Sequence, residues 1–155
     1  MSKEEFVAAA TAAAQTSSAS SGFPPGVTVA QAALESGWGG SELARAANNY
    51  FGIKARPGGK TIELTTTEYV AGTPVRVIAK FASYVSMLEC FADRDRMIAS
   101  LSAYSEARAV AKDPEAFIHA LARHWATDPA YAEKLLAVYR ANGLDRLDEP
   151  VGSGQ

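Results

Sequence analysis

Residues 61–81 change the character of this chain. On either side, apolar residues recur at helical spacing. Thr61 to Val70 and Val75 to Phe81 are instead rich in threonine, valine and isoleucine, side chains that suit a pleated strand. Ala71-Gly72-Thr73-Pro74 separates the two runs and reads as a hairpin turn. A small sheet of two or three strands, set between two helical parts, defines an α+β, predominantly α class: a helical domain carrying a β-hairpin lobe. The natural ligand site is a cleft between helices and hairpin. The 155 residues suit one compact domain, read as 1–150, with 151–155 a disordered tail.

The flanking helices carry start and stop signals. Residues 3 to about 20 form a first helix with Phe6, Val7, Ala10 and Ala14 on one stripe; Ser2 caps it and Glu5 stands at the capping-box position. The serine-rich stretch up to Gly22 ends it, and Phe23-Pro24-Pro25-Gly26 is a turn. A second helix runs from Val27 to Glu35 with Val27, Ala30, Ala33 and Leu34 inward, until Gly37, Gly39 and Gly40 stop it. Ser41 caps a short helix through Arg45 or Ala46, and Asn48 to Lys54 is an ordered loop. Beyond the hairpin, helices are expected near 86–101, 115–125 and 129–141. Their stripes are Leu88, Phe91, Ile98 and Leu101, then Phe117, Ile118, Leu121 and Trp125, then Leu135, Leu136 and Tyr139. Asp113-Pro114 and Asp128-Pro129 each offer a capping aspartate before a proline at the first helical position, and Asn142-Gly143 closes the last helix.

Composition excludes several functions. The net charge of -2 leaves no basic footprint for nucleic acid and no polybasic segment for a membrane surface. Cys90 is the single cysteine, so no intrachain disulfide forms, and its helical setting beside Met87, Leu88 and Phe91 reads as a buried small hydrophobe. No Cys/His/carboxylate cluster has metal-ligand spacing. The start of the chain lacks the apolar core of a secretory signal. The protein therefore works in the cytoplasm, leaves by another route, or is a domain of something larger.

Ala33-Leu34-Glu35-Ser36-Gly37-Trp38-Gly39 is where chemistry is most legible. Glu35 ends an apolar helix, where the partial negative charge of the helix terminus disfavours a second negative charge. A neighbouring indole that excludes water raises its pKa further. A glutamate that keeps its proton near neutral pH is what a glycosidase uses as general acid. Glu68 is the second carboxylate: on a strand it shares a face with Ile62, Leu64, Thr66 and Val70, so it either reaches solvent at the strand end or faces the cleft opposite Glu35. Trp38, Tyr50, Phe51, Tyr69, Tyr84, Trp125 and Tyr131 supply aromatic faces of the kind that sugar rings lie on, although Phe51 and Trp125 taken singly read as core. Asn48 and Asn49 carry amides suited to sugar hydroxyls or to turn formation. The candidate substrate-binding set is Trp38, Asn48, Asn49, Phe51, Tyr69, Tyr84 and Trp125. No phosphate-binding glycine loop joins a strand to a helix, and no Gly-x-Ser-x-Gly elbow is present.

The stretch Ala30 to Gly39 resembles the catalytic-helix signature of glycoside hydrolase family 73, the peptidoglycan β-N-acetylglucosaminidases of bacteria and phages, including the wall-cutting domain of flagellar rod-assembly proteins. The likeness continues in order at Asn48-Asn49-Tyr50-Phe51-Gly52-Ile53-Lys54, Thr66-Thr67-Glu68-Tyr69, Phe81-Ala82-Ser83-Tyr84 and Ala126 to Leu135. The resemblance implies a lysozyme-like helical domain, the general acid at Glu35, a second and less uniformly required carboxylate at Glu68, and a functionally important tyrosine at Tyr131. One departure is His124-Trp125, where similar sequences read Gly-Tyr; the aromatic is kept and a hydroxyl is lost. The implied reaction is hydrolysis of the β-1,4 bond between N-acetylglucosamine and N-acetylmuramic acid. Either Glu68 activates water, or the substrate's acetamido group attacks while Tyr131 positions it. No metal or organic cofactor is implied. The expected partner is the peptidoglycan glycan strand, met by a monomer at the bacterial wall or periplasm. Phage lysis, a larger exported parent or a secreted effector would each deliver it there. The rivals are a muramidase or lytic transglycosylase on the same scaffold, and a non-catalytic wall-binding or assembly module.

Overall fold

A computed structural model describes residues 1–150; the tail at 151–155 lies outside the described residues. Helix α1 spans Lys3–Ser21. Its start is the capping box read from the sequence: Ser2 Oγ accepts from the Glu5 N–H, and Glu5 Oε1 accepts from the Ser2 N–H, both at 3.0 Å. Each bond satisfies a donor that the first helical turn leaves free. The face of α1 that turns inward carries Phe6, Ala10, Ala13, Ala14 and Ser17.

Helix α2 spans Pro25–Ser36. It begins two residues before Val27, so the expected Phe23–Gly26 turn is shorter than read. Pro25 takes the first helical position, where a missing N–H costs nothing. Every residue from Gly26 to Ala33 is buried. Such a helix needs small side chains, because neighbours press on it from all sides. They are α1, the C-terminal helix α7 (Tyr131–Ala141) and the 3-10 turn Leu144–Asp148. That turn, absent from the sequence reading, caps α2 in trans. Pro24 brings no side-chain acceptor to the N-cap position. Asp148 supplies it instead, its Oδ1 accepting from the Gly26 N–H at 2.7 Å and its Oδ2 from the Val27 N–H at 3.2 Å. The Tyr139 hydroxyl donates to the same Oδ2 at 2.7 Å. The approach is close enough to require glycine at position 26, since a Cβ there would stand 2.2 Å from the Leu144 carbonyl oxygen.

Helix α3 (Glu42–Ala47) starts at Ser41, whose Oγ accepts from the Ala44 N–H at 3.1 Å. The hairpin follows. Strands β1 (Thr61–Val70) and β2 (Thr73–Ala82) pair antiparallel in a two-stranded sheet, from Thr61 opposite Ala82 to Val70 opposite Thr73. Thr73 and Pro74 thus belong to β2, and the turn is only Ala71-Gly72. Both take positive φ, 51° and 80°, the pattern of a type I′ turn, whose twist matches that of the strands. The hairpin is rooted at its base, where Ala55 N–H donates to Lys80 O and Ala82 N–H to Ile53 O, at 3.1 and 3.0 Å.

Helix α4 spans Met87–Ser100. Its buried face corrects the expected stripe: Leu88 and Leu101 are 41% and 47% exposed, while Cys90, Phe91, Asp93, Arg94, Asp95 and Ile98 point inward. A 3-10 turn at Ser102–Tyr104 and a short α5 (Ser105–Ala109), also unforeseen, lead to α6 (Pro114–Trp125). Asp113 caps α6 as expected, accepting from the Ala116 N–H at 3.2 Å. Asp128-Pro129 does not play that part for α7, which begins at Tyr131. Asp128 instead folds a turn, taking the Ala130 N–H on Oδ1 at 2.9 Å and the Tyr131 N–H on its carbonyl at 3.1 Å. The core that holds these elements includes Phe6, Val27, Phe91, Ile98, Phe117, Leu121 and Leu135, all fully buried; burying each large side chain contributes about 1.5–3 kcal/mol.

Candidate active site

The site is built on one stripe of α2. Thr28, Gln31 and Glu35 lie three and four residues apart, hence on one face of the helix. The first two are buried; Glu35, in the last turn, reaches solvent. Gly37 stops the helix in the left-handed conformation, and Trp38 follows in the same region at φ 58°, a rare and strained state for an aromatic residue. The chain turns away sharply there and leaves Glu35 exposed to solvent. Trp38 meets Phe6 edge-on and carries Lys3 Nζ 4.2 Å above its ring.

Tyr131 opens α7 and is 5% exposed. Its hydroxyl donates to Glu35 Oε1 at 2.6 Å, at the short end of O–H···O hydrogen bonds. Gln31 Nε2 donates to the same hydroxyl at 3.3 Å. Behind Gln31 stands Arg94 from α4, completely buried. Its Nε donates to Gln31 Oε1 at 3.0 Å, and its Nη1 donates to Thr28 Oγ1 at 2.9 Å and to Asp95 Oδ1 at 2.8 Å. Asp95 is tied in turn by Ser17 and Ser21 of α1, whose hydroxyls donate to Oδ2 at 2.6 and 2.8 Å. A guanidinium in a core survives only with such partners.

The protein crowded around the Glu35 carboxyl strips part of its hydration and raises its pKa above the ordinary carboxylate range; the Tyr131 hydrogen bond opposes this and is the smaller effect. Burial, the facing carboxylate and its own donation to that carboxylate push the Tyr131 phenol well up, so it stays protonated and remains a donor. A carboxyl with a raised pKa, open to solvent on one side and held by a phenol on the other, is equipped to give a proton to a bound molecule.

The other anticipated residues are scattered. Glu68 stands on β1 opposite Val75, exposed, on the same face as Ile62, Leu64 and Thr66. It lies seven residues up the strand from Thr61, about 23 Å at ~3.3 Å per residue. Tyr69 is 73% exposed beside it. Asn49 is buried and its amide is consumed by the protein: Nδ2 donates to Ile53 O and Ala82 O, both at 2.9 Å, while Oδ1 accepts from the Phe51 and Ile53 N–H groups. Asn48 Nδ2 donates to Tyr84 O and Val85 O, both at 3.2 Å. Tyr84 is buried with its hydroxyl on Asp93 Oδ2 at 2.6 Å. Asn49 thus ties its loop to the hairpin base, Asn48 ties it to the segment leading into α4, and Tyr84 bonds to α4 itself. Phe51 and Trp125 meet edge-to-face, 6.1 Å between centroids. With Lys54, Met97 and Tyr104 they line a cavity of about 270 Å³. Glu35 and Tyr131 are outside that cavity's lining; Phe51, which lines it, also lies under the Arg94 guanidinium. Cys90 is fully buried, its thiol pushed up to about 12, chiefly by burial, as its helical setting suggested.

Arg94 and Asp95 escaped the sequence reading because Asp93-Arg94-Asp95-Arg96 looks like a solvated run. The available signal was the polar stripe Thr28-Gln31-Glu35 in an otherwise apolar helix, which demands polar partners from elsewhere.

A helical body with a two-stranded arm and a solvent-facing glutamate at a helix end is the lysozyme-like arrangement of glycoside hydrolases. The family model for glucosaminidases, described as mannosyl-glycoprotein endo-beta-N-acetylglucosaminidase, matches residues 11–144, and the chain belongs to that family, glycoside hydrolase family 73. It is 34% identical over 130 residues to the exo-glucosaminidase LytG of Bacillus subtilis, covering 81% of this chain and 46% of that protein. It is 36% identical over 141 residues to the peptidoglycan hydrolase FlgJ of Salmonella typhimurium, covering 87% and 45%. The chain thus spans less than half the length of both relatives. The catalytic domain of the autolysin Auto from Listeria monocytogenes superposes with a TM-score of 0.83 at 33% identity, covering 94% of this chain and 86% of that one.

Proposed function

We propose that this domain hydrolyses the β-1,4 bond between N-acetylglucosamine and N-acetylmuramic acid in peptidoglycan, with Glu35 as general acid. The observation that carries the reading is the Glu35 carboxyl itself: solvent-facing, raised in pKa and hydrogen-bonded to the buried Tyr131 hydroxyl. The names of the relatives, a glucosaminidase and a peptidoglycan hydrolase, supply the substrate class. Glu35 protonates the glycosidic oxygen while positive charge grows on the sugar ring. The place of action is the bacterial wall, and the domain works as a monomer on the glycan strand.

The second group is assigned by role. Glu68 activates water from the hairpin arm if that arm lies over the bound strand. Its exposed place near the tip, and the fact that Tyr131 is the group bonded to Glu35, favour the other route, in which the substrate's acetamido group attacks the anomeric carbon. Trp38 and Tyr69, with aromatic surface open to solvent, are the candidates for stacking on sugar rings.

Mass spectrometry of peptidoglycan digests tests the bond. Reducing N-acetylglucosamine ends are expected; reducing N-acetylmuramic ends would make it a muramidase, and 1,6-anhydromuramic products a transglycosylase. Glu35→Gln should abolish release of fragments from purified sacculi, and full activity in that variant would leave only a binding module. Glu68→Gln separates the two routes: retention of most activity selects the acetamido mechanism, and near-complete loss selects the water-activating carboxylate.

A further inference from the structure

Arg94 can only donate hydrogen bonds. Its Nε points at the side-chain amide of Gln31, so the atom facing it must be the amide oxygen. The amide nitrogen is thereby turned to the Tyr131 hydroxyl, where it can only donate. With an N–H aimed at its oxygen, the phenol directs its own proton to Glu35 Oε1. Each link has one possible direction, and all follow from a charge locked in the core. Arg94 is held in turn by Thr28 and Asp95, which both accept from Nη1, and its Cζ lies over the Phe51 ring, 5.6 Å from the centroid; Nη2 has no hydrogen-bond partner.

We infer that Arg94 and Gln31 are positioning residues that polarise a one-way hydrogen-bond chain, Arg94 to Gln31 to Tyr131 to Glu35, and so keep the acid proton of Glu35 on Oε2, the oxygen left free for substrate. A carboxylic acid has two oxygens, and its proton is useless on the one that faces the protein. With Tyr131 compelled to donate, Oε1 is occupied as an acceptor and the proton resides on the other oxygen. The chain also spreads part of the guanidinium's influence to the carboxylate left after proton transfer, since successive hydrogen bonds polarise one another. This assignment rests on the reading of Glu35 as general acid.

The charged and titratable groups facing the chain are few. Helix α2 carries no ionisable side chain but Glu35. Helix α7 presents Tyr131; α4 presents Arg94 and Asp95, with the neutral Cys90 thiol nearby; Tyr104, also buried, feels the Arg94 charge. Lys3 of α1 lies over Trp38. Asp148 sits at the opposite end of α2, on the Gly26 and Val27 amides.

Gln31→Glu is the decisive variant, because it keeps the shape and reverses the direction. A carboxylate at position 31 accepts from both Arg94 and Tyr131, which takes the phenol proton away from Glu35 and adds a negative charge behind it. Gln31→Met removes the donor to Tyr131 without adding charge. Titration of the Glu35 carboxyl by carbon-13 NMR, assigned with Glu35→Gln, should give midpoints in the order wild type, then Gln31→Met, then Gln31→Glu, the last displaced upward by about 0.5 pH unit or more. The alkaline limb of kcat/KM should move the same way, with kcat down roughly tenfold or more in Gln31→Glu and KM little changed. Thermal unfolding of each variant identifies any that fail to fold, and the folded one then carries the test. Midpoints indistinguishable from wild type in the folded variants would overturn the chain. The NMR titration reads its direction whether or not Glu35 is the acid, whereas an active Glu35→Gln enzyme would overturn the acid assignment alone.

Discussion

The Tyr131 hydroxyl donates a 2.6 Å hydrogen bond to Glu35 Oε1 across 96 positions of sequence. It joins the first turn of α7 to the last turn of α2, and it is the one bond from the protein to the proposed acid among the described residues. Tyr131→Phe removes it with little change of shape. A hydrogen bond to a charged group is worth about 1.5–3 kcal/mol, so kcat should fall roughly 10- to 100-fold. The bond lowers the Glu35 pKa, so its loss should shift the alkaline limb of kcat/KM to higher pH. Turnover of a defined glycan across pH measures both, and an unmoved limb would contradict the geometry.

Glu35→Gln should lose about 10²- to 10⁴-fold in rate, the range of a general acid, and gain stability at neutral pH. The Glu35 pKa is raised in the folded state, first by burial. Its contribution to stability is therefore full below the unfolded value, about 4.3, and is lost as pH rises through the folded value. A permanently neutral glutamine escapes that loss and still accepts from Tyr131. Calorimetry should find Tm above wild type at pH 7, with the difference shrinking toward pH 4. A variant less stable than wild type at pH 7 would refute the argument.

Asp148 caps α2 from outside the helix, beyond the 11–144 span of the family match. Asp148→Ala should cost about 1–2 kcal/mol, the value of a lost N-cap. Asp148→Asn should cost less: burial holds this carboxyl above the ordinary range despite the Gly26, Tyr139 and Val27 hydrogen bonds, so the ionised form is not strongly favoured. Gly26→Ala should be worse than either, since its Cβ meets the Leu144 carbonyl at 2.2 Å. Urea unfolding midpoints give the ranking.

Asn49 uses its whole amide inside the protein. Asn49→Ala leaves several buried backbone groups without partners, each worth about 1–3 kcal/mol, so a loss of stability on the order of 2–4 kcal/mol is expected. Hydrogen exchange should show faster exchange at Phe51 and Ile53, whose N–H groups lose their acceptor. Unchanged protection there would sink this structural role.

Much of this was legible locally. The Ser2–Glu5 capping box, the Ser41 and Asp113 caps, the hairpin at 61–82 and the buried Cys90 follow from signals within a few residues of one another, because helix starts and tight turns are settled by near neighbours. The local signal misleads where it has a distant competitor. Asp128-Pro129 has the form of a helix start, yet the backbone closes a turn on Asp128 and α7 waits for Tyr131. Leu88 and Leu101 fit an apolar stripe, yet α4 rotates to bury Arg94 and Asp95, because Gln31, Thr28, Ser17 and Ser21 offer that pair hydrogen-bond partners, leaving Arg94 Nη2 without one.

The order of helix, hairpin and helix, the glutamate at the end of an apolar helix and the family itself were determined by sequence alone, since they rest on periodicity, caps and contiguous motifs. Only the tertiary structure decided what stands behind Glu35. Tyr131, Gln31, Arg94 and Asp95 come from three helices, and no spacing along the chain relates one helix's residues to another's. They meet because a buried charge and a buried amide must each find partners once water is excluded, and packing α4 and α7 around α2 brings those partners within hydrogen-bond reach.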